Sequence, residues 1–287
     1  MKQNFDVVIC VGVKDIFIVH KTVKYINQYI VPQHIFLIMN KRFFSFYSNS
    51  FLRRNHVTLL NEENIVEGIT IKTVRQSLSD HFPKKIRAGW YLQQFLKMGF
   101  SLTKYVSDYY LVWDADTIPT SRLDFFDEKG RMMLAMKSEY HPPYFETMNR
   151  LLGLDKSVDF SFIAEHMIIR VEYMKEIINY ITKECKGTQN WSEKIIEAVN
   201  PEHGIGFSEF ETYGTYVHRY HQSSVSYRKL HTMRRAGFLF GRCMKDREIQ
   251  EFNGVTDTIS LEAGHIPPFP RNIYQYFQLC FLYLLRP

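Results

Sequence analysis

Two aspartates, separated by one residue, are the side chains of this sequence whose type and spacing point most directly to chemistry. Asp114 and Asp116 follow the apolar run Tyr109–Trp113, which is typical of a buried strand. In open α/β sheets ligands bind at the carboxyl ends of strands, where two carboxylates can converge on one divalent cation. Such a cation shares its coordination with substrate phosphates and neutralises a departing diphosphate. The motif therefore predicts a Mg²⁺ or Mn²⁺ site, and the alternative is a turn whose aspartates bond to backbone amides.

The segments around this motif alternate between strand and helix patterns. Apolar, β-branched runs predict strands at residues 5–13, 34–39, 56–60, 109–113, 131–136 and 162–170. Amphipathic spacing predicts helices at 85–99, 172–185, 191–200 and from 208 onward. In the first of these helices the polar residues Gln93, Gln94 and Lys97 share a face, and Gly99 is placed to end it. This alternation is typical of an α/β fold with a mostly parallel sheet covered by helices.

The chain is expected to form a single domain with a tail. No linker composition and no internal repeat divides residues 1–265. We expect a nucleotide-binding half at 1–135, an acceptor-binding half at 136–265, and an apolar appendage at 266–287. Residues 273–285 are almost wholly apolar but too few for a membrane span, which needs about 20. They form either a docked terminal helix or an interfacial anchor with its tyrosines and the flanking Arg271 and Arg286 at the membrane surface.

Charge and cysteine content restrict the class of partner and the compartment. The formal net charge of +6 suits an anionic partner such as a nucleoside diphosphate, an acidic glycan or a lipid headgroup. The basic clusters are short and no nucleic-acid-binding motif accompanies them, which argues against nucleic acid as a partner. The four cysteines are far apart and read as free thiols of a reducing compartment. The apolar stretch 7–13 is too short for a signal peptide, so a cytoplasmic location is expected.

The sequence resembles GT-A glycosyltransferases, and closely a bacterial family of uncharacterised-domain glycosyltransferases from cell-surface polysaccharide (lipopolysaccharide or capsule) loci. The resemblance lies in segments 89–97, 110–119, 162–170 and 207–217 and spans most of residues 5–245. It implies a GT-A-type fold and metal-dependent transfer of a hexosyl or N-acetylhexosaminyl group from a nucleotide diphosphate sugar, with UDP expected. The implied acceptor is a surface polysaccharide or glycolipid.

The resemblance also implies roles for individual residues. Asp116 would bind the metal directly, and Asp114 would contact the ribose or reach the metal through water. The end of the first strand would cradle the nucleoside, and further residues would lie near the donor. These donor-binding positions are Val11, Gly12, Val13, Asp15, Arg87, Gln93, Lys97, Asp114, Ala115 and Asp116. For Arg87, Gln93 and Lys97 the alternative is a solvated helix face.

A second group of polar residues begins at Ser208. Ser208 and Glu211 match the S-x-x-E capping box, so Glu211 is expected to bond back to its own helix N-terminus. Glu209 has no such capping role, and a helix N-terminus favours the anionic carboxylate that a general base needs. The resemblance places this segment beside the acceptor, which makes Glu209 the candidate base and Glu211 the second candidate. Direct in-line displacement with Glu209 as base would invert the anomeric centre.

Histidines are the least determined part of the expected site. His166 lies in a predicted strand and would face the acceptor, or it is a hydrogen-bonded core histidine. GT-A enzymes often use a late histidine as a third metal ligand, and the sequence does not choose among His218, His221, His231 and His265.

Three other classes of protein share parts of this pattern. A haloacid-dehalogenase-like phosphatase would carry Thr or Val at position 118, where this chain has Ile118, and a later acidic pair for the metal, whereas this sequence has no Asp-Asp dipeptide. A nucleotidyltransferase usually has a Gly-rich basic loop after its first strand, whereas this chain has one glycine there. A non-catalytic glycan-binding protein would keep the aromatic residues but has no need of two converging aspartates.

Overall fold

The computed structural model describes residues 3–84 and 86–284. The strands are β1 (Asp6–Cys10), β2 (Ile35–Met39), β3 (Val57–Asn61), β4 (Tyr109–Trp113), β5 (Thr117–Pro119), β6 (Met132–Met136), β7 (His166–Arg170), β8 (Val225–Lys229), β9 (Thr232–Met233) and β10 (Thr258–Ser260). The helices are α1 (Ile18–Tyr29), α2 (Asn49–Arg54), α3 (Ile71–His81), α4 (Ala88–Gly99), α5 (Pro142–Leu152), α6 (Val171–Lys183), α7 (Trp191–Ala198), α8 (Glu209–Tyr220), α9 (Ala236–Phe240), α10 (Asp246–Gln250) and α11 (Arg271–Leu284).

The fold is mixed α/β, with a mostly parallel sheet and flanking helices, as the alternating sequence pattern predicts. Each strand predicted from an apolar run is present, although several are shorter than the run. The segment predicted at 162–170 forms a strand only from His166, because the backbone N–H of Phe162 donates instead to a side chain, that of Glu211. The four cysteines are free thiols, in agreement with the prediction.

Chain contacts divide the protein into two compact units that cut the sequence differently from the expected halves. The first unit contains residues 4–60, 113–125 and those from 229 onward; the second contains 61–112 and 126–228. In the first unit β3, β2 and β1 are neighbours in that order, and β1 pairs with β2 in parallel. A smaller sheet has the order β5-β10-β9, and α1 packs on β5.

The second unit is built mainly from helices around α4. β4 and β7 are neighbours in this unit, and so are β6 and β8. Helix α4 packs against α3 and α8, and the ring of Phe95 contacts those of Trp191 and Phe207. The expected polar face of α4 is not solvated, because Gln94 and Lys97 are both buried. The alternative of a solvated helix face therefore does not hold for Lys97, because the packing of neighbouring helices covers almost the whole circumference of α4.

Gly99 is the last residue of α4, as predicted, but not for the predicted reason. Its φ is −66°, which is ordinary right-handed backbone, and a 3₁₀ turn follows at Phe100–Leu102. A Cβ on Gly99 would lie 2.3 Å from Val66 Cγ2. The glycine therefore permits a close approach of α4 to Val66, and it does not form a left-handed cap.

The apolar tail forms α11, which is docked on one face and open on another. Gln275 and Leu282 are buried, and Phe281 stacks on Phe17 of the first unit with ring centroids 6.3 Å apart. Other aromatic and aliphatic side chains of the helix are exposed, among them Tyr274, Tyr276, Phe277, Tyr283 and Leu284. Leu285 and Arg286, which belonged to the predicted anchor, lie outside the described residues. None of the described helices has the length and apolarity needed to cross a membrane.

Candidate functional site

Asp114 and Asp116 lie on a tight turn that joins β4 to β5. The turn is fastened through its backbone: the N–H of Thr117 donates to Asp114 O at 3.1 Å, and that of Leu261 donates to Asp116 O at 2.8 Å. The hydroxyl of Thr22 on α1 donates to Ala115 O at 2.7 Å. The apolar strand thus delivers both aspartates to its carboxyl end, and α1 and the segment after β10 fix the turn. The Ala115 side chain is buried.

Among the charges that act on Asp116, the negative ones have the larger effect. Burial, followed by the charges of Asp15 and Asp114, raises the pKa of the half-buried Asp116 to about 7. Lys14 and Arg242 act in the opposite direction. A carboxyl whose proton is retained to neutral pH by its neighbours is typical of a site designed to receive a cation. The aspartates of the motif and Asp15 therefore share one electrostatic environment.

The end of β1 supplies the other predicted donor-binding residues of this unit. The N–H of Val11 donates to Ile38 O at 2.8 Å, which extends the pairing of β1 with β2 by one residue. Gly12 is exposed, Val13 is half-buried, and a 3₁₀ turn covers Val13–Asp15. Asp15 is buried and its Oδ1 accepts from Arg242 Nη2 at 2.7 Å. The structure thus brings Asp15 to the aspartate motif, with Gly12 and Val13 on the same short loop.

The donor set fits a hard divalent cation that is completed by substrate oxygens. Mg²⁺ is usually held by one or two carboxylates together with phosphates and water, and the mutual repulsion within this carboxylate group is what such a cation relieves. Within residues 3–84 and 86–284, however, no group of three or more His, Cys, Asp or Glu side chains is positioned to hold a metal by itself. The residues that fit the cation are therefore Asp114 and Asp116.

The four histidines considered as third ligands have different surroundings. In the second unit, the ring of His218 bonds to Tyr227 Oη at 2.6 Å, and that of His221 bonds to Glu176 at 2.7 Å. In the first unit, His231 donates its backbone N–H to Asp257, and His265 is buried. The structure singles out none of them as a metal ligand.

Glu209, the candidate base, is buried at the first position of α8. Its Oε1 lies 3.0 Å from Lys97 Nζ, and its backbone N–H donates to Gln94 Oε1 at 3.1 Å. The Lys97 ammonium also lies over the ring of Phe210, 4.7 Å from its centroid. Lys97, predicted to contact the donor, is therefore a buried partner of Glu209. The pair holds the carboxylate in one position on α8.

Glu211 does not complete a capping box. The Ser208 hydroxyl accepts from the Glu211 N–H at 3.2 Å, as predicted, but the Glu211 carboxylate points away from the helix N-terminus. Its Oε2 accepts from Ser161 Oγ at 2.8 Å and from the Phe162 N–H at 3.1 Å. Burial raises the pKa of Glu211, and these two hydrogen bonds oppose that effect. The carboxylate therefore fastens segment 161–162 to α8.

His166 lies in a buried group of charged side chains. Burial, reinforced by the positive charges of Arg228 and Lys137, holds the pKa of His166 well below its usual value. Next to it in the chain, Glu165 forms an ion pair with Lys137 at 3.0 Å. His166 is therefore a neutral histidine on β7 at pH 7.

Arg87 and Gln93 occupy different environments on the same helix. Arg87 is exposed, precedes α4, and lines a groove of about 700 Å³ with Arg75, Lys84 and apolar side chains of α3. Gln93 is half-buried, two turns further along α4. The structure therefore does not gather Arg87, Gln93 and Lys97 on one surface.

Arg242 is the residue at the aspartate group that sequence reasoning missed. It is buried, it pairs with Asp15, and its charge acts on Asp116. No motif marks it in the sequence, since its partner is 227 residues away.

Comparisons with known proteins give one family and several similar structures. A model of a family of unknown function (DUF6492) matches residues 16–241. No curated protein sequence matches the chain. The galactosyltransferase LgtC, in complex with donor and acceptor sugar analogs, is 13% identical with a TM-score of 0.47, covering 98% of this chain and 95% of that one. Mouse xyloside xylosyltransferase 1 is 8% identical with a TM-score of 0.48, covering 93% and 100%. Core-mannan synthase A from Aspergillus fumigatus, in its Mn/GDP form, is 11% identical with a TM-score of 0.44, covering 79% and 73%.

Replacing Asp116 by Asn tests the electrostatic cost of the site. The pKa of Asp116 in the folded protein is raised to about 7. The neutral carboxyl group, which favours the folded state, is therefore fully present below the pKa of the unfolded state and is lost as the pH rises through about 7. Asp116→Asn without divalent metal should therefore stabilise the protein by about 1–3 kcal/mol near pH 8, and the gain should shrink toward pH 4. Thermal unfolding at several pH values measures this.

Asp124→Asn is the matched control, because that carboxylate is 60% exposed and its ion pair with Arg122 lies at the surface. It should change the melting temperature little at any pH. An equal effect of Asp116→Asn at low and high pH would contradict the assigned electrostatics.

Proposed function

This chain belongs to a family of unknown function, DUF6492, and we propose that it is a metal-dependent glycosyltransferase that uses a nucleotide diphosphate sugar. The observation that carries the proposal is the carboxylate group at the end of β4, where the charges of Asp15 and Asp114 and burial raise the pKa of Asp116 to about 7. That arrangement suits a divalent cation accompanied by phosphates. The support for this proposal comes from residues of this chain and not from the similar structures.

In this proposal Asp114 and Asp116 hold Mn²⁺ or Mg²⁺ and the end of β1 receives the nucleoside. The cation, when bound, neutralises the charge of the departing nucleoside diphosphate. Thr22, Leu261 and Thr117 keep the aspartate turn rigid, so the carboxylates are in place before the donor arrives. Gly12 is exposed and without a side chain, which leaves room for the nucleoside at the end of β1. The expected nucleotide is UDP, and the expected sugar is a hexose or N-acetylhexosamine.

Glu209 and His166 are the proposed acceptor-side residues. Glu209 would take the proton of the acceptor hydroxyl, and its ion pair with Lys97 fixes the direction of the carboxylate. Attack by that oxygen on the anomeric carbon, opposite the departing diphosphate, gives inversion. His166, neutral on β7, would contact the acceptor through its imidazole. The acceptor would be a bacterial surface polysaccharide or glycolipid of the lipopolysaccharide or capsule type.

The exposed aromatic face of α11 supports a peripheral position on the inner face of the cytoplasmic membrane. Tyr274, Tyr276 and Phe277 are each about two-thirds exposed. Arg271 at the start of the helix pairs with Glu248, so the charge that is complementary to an anionic bilayer is the net charge of +6 of the whole chain. The protein would then bind a lipid-linked acceptor at the surface of the membrane that contains the lipid.

A nucleotide and metal panel tests the donor site. Thermal unfolding is measured with nucleoside diphosphates and nucleotide sugars, each with and without Mn²⁺. A ligand at a hundred times its Kd stabilises the folded state by about 2.7 kcal/mol, which is resolved as a shift of several degrees. We expect one nucleotide to give a metal-dependent shift that Asp116→Asn abolishes and Asp124→Asn retains. No shift with any nucleotide would contradict the proposal and favour a glycan-binding protein.

Glu209→Gln tests the base. Turnover of the donor found in the panel should fall by about 10²–10⁴-fold, because a positioned proton acceptor is lost. The Kd for the nucleotide should stay within about twofold, since Glu209 acts on the acceptor. Glu172→Gln, an exposed carboxylate of the same unit, is the control and should keep its turnover. Unchanged turnover in Glu209→Gln would remove Glu209 from the reaction.

The membrane contact is tested by sedimentation with vesicles of equal parts phosphatidylcholine and phosphatidylglycerol. Tyr274→Ser with Phe277→Ser should reduce the bound fraction severalfold, because two large apolar side chains leave the interface. Tyr180→Ser, which removes an exposed tyrosine from α6, should bind as the unmodified protein does. Equal binding of all three proteins would exclude this face, and a change in oligomeric state of the double variant would point to a second copy instead.

A further inference from the structure

A fully buried guanidinium lies beside the carboxylate group of the first unit. The Arg242 side chain is 2% exposed, and its Nη2 donates to Asp15 Oδ1 at 2.7 Å. The Asp15 side chain is itself 8% exposed. A buried ion pair is costly unless its remaining hydrogen-bonding groups are satisfied, so the other nitrogens of this guanidinium require partners.

The tail helix α11 holds the backbone of Arg242. The Arg242 N–H donates to Gln275 Oε1 at 2.9 Å, and Gln275 Nε2 donates to the carbonyl of His265. The preceding residue, Gly241, has φ +64°, and a Cβ there would lie 2.7 Å from Pro267 and 3.1 Å from Gln275 Oε1. Only glycine allows both this conformation and this approach. The buried side-chain amide of Gln275 therefore fixes the position of the Arg242 backbone, from which the Arg242 side chain extends to Asp15.

The second terminal nitrogen of this guanidinium, Nη1, is also buried. Among the residues that the structure describes, no hydrogen-bond partner is found for the buried Arg242 Nη1. Leaving a buried donor of a charged group without a partner costs more than leaving a neutral one, and a bound ion or ligand is one way in which such a donor is satisfied. Arg242 also lies close enough to Asp116 for its charge to act on that carboxylate. An anionic oxygen brought to the aspartate motif is the partner that this charge and position suit.

We propose that Arg242 binds a phosphate oxygen of the nucleotide donor through Nη1, and that Gln275 of the tail helix is the positioning residue that holds Arg242 for this contact. This inference rests on the proposed use of a nucleotide donor. Both residues lie beyond the segment 16–241 that matches the family model, so they are a feature of this chain's C-terminal region. The tail helix is then part of the donor site as well as a surface element.

Titration calorimetry with Mn²⁺ and the nucleoside diphosphate found in the panel, UDP in the expected case, measures the contact, with uridine as the probe that carries no phosphate. Arg242→Gln should weaken UDP binding about tenfold or more and leave uridine binding unchanged, because a charge-assisted hydrogen bond to phosphate is lost. Gln275→Met should weaken UDP binding by about threefold to tenfold, with uridine again unchanged. Gln278→Met, on the same helix and half-buried, is the matched control and should bind as the unmodified protein does.

The double variant separates positioning from general destabilisation. If Gln275 acts through Arg242, Gln275→Met should have no further effect on UDP affinity in the Arg242→Gln background, whereas independent structural damage would add. Should Arg242→Gln fail to fold, the single variant Gln275→Met decides, since it removes no buried charge. Equal losses for UDP and uridine, or UDP affinity unchanged in both single variants, would overturn the inference while leaving the donor proposal standing. Absence of UDP and other nucleotide binding in the unmodified protein would overturn both.

Discussion

The carboxylates of Asp15, Asp114 and Asp116 repel one another in a partly buried space, and burial by itself already favours the neutral form of Asp116. Two features of the first unit counteract this repulsion. The turn that carries the aspartates is fastened through backbone carbonyls to α1 and to the segment after β10, so it cannot relax away. Cationic groups, Lys14 and Arg242, oppose part of the charge. Such an arrangement lowers stability, which is typical of preformed functional sites.

Buried ion pairs give the two units their most specific contacts. Lys97 with Glu209, and Lys137 with Glu165, lie within the second unit; Arg242 with Asp15 lies within the first. A buried pair adds little stability compared with apolar side chains of similar size, because both ions lose their hydration. It does fix the direction of each charged group. The candidate base Glu209 and the loop residue Asp15 are both oriented in this way.

The parts of the molecule that the sequence predicts are those determined by local patterns. Apolar runs located β1 to β4, β6 and β7 but not β5 or β8 to β10, which are short or polar. The position of Asp114 and Asp116 after the β4 run located the charged turn, because a strand end needs only its own residues to be recognised. Glu211 shows the limit. The side chain of a glutamate three residues after Ser208 can bond to the helix N-terminus or to a partner far away in sequence. Here it accepts hydrogen bonds from Ser161 and Phe162. The burial of Lys97 and the pairing of Arg242 with Asp15 likewise depend on segments far away in sequence.

The interleaving of the two units has a consequence for the order in which the protein is completed. The first unit draws on residues 4–60, 113–125 and those from 229 onward, while the second is contained within 61–228 apart from its N-terminal residues. During synthesis the ribosome releases nearly all of the second unit before β9, β10 and α11 of the first exist. Helix α1 and strand β5, which share an apolar cluster with Ile259 and Leu261, therefore keep apolar surface uncovered until the last segment emerges. Chaperone occupancy in that interval would fall on α1 and β5, and the charged turn would gain its hydrogen bond from Leu261 only after β10 has emerged.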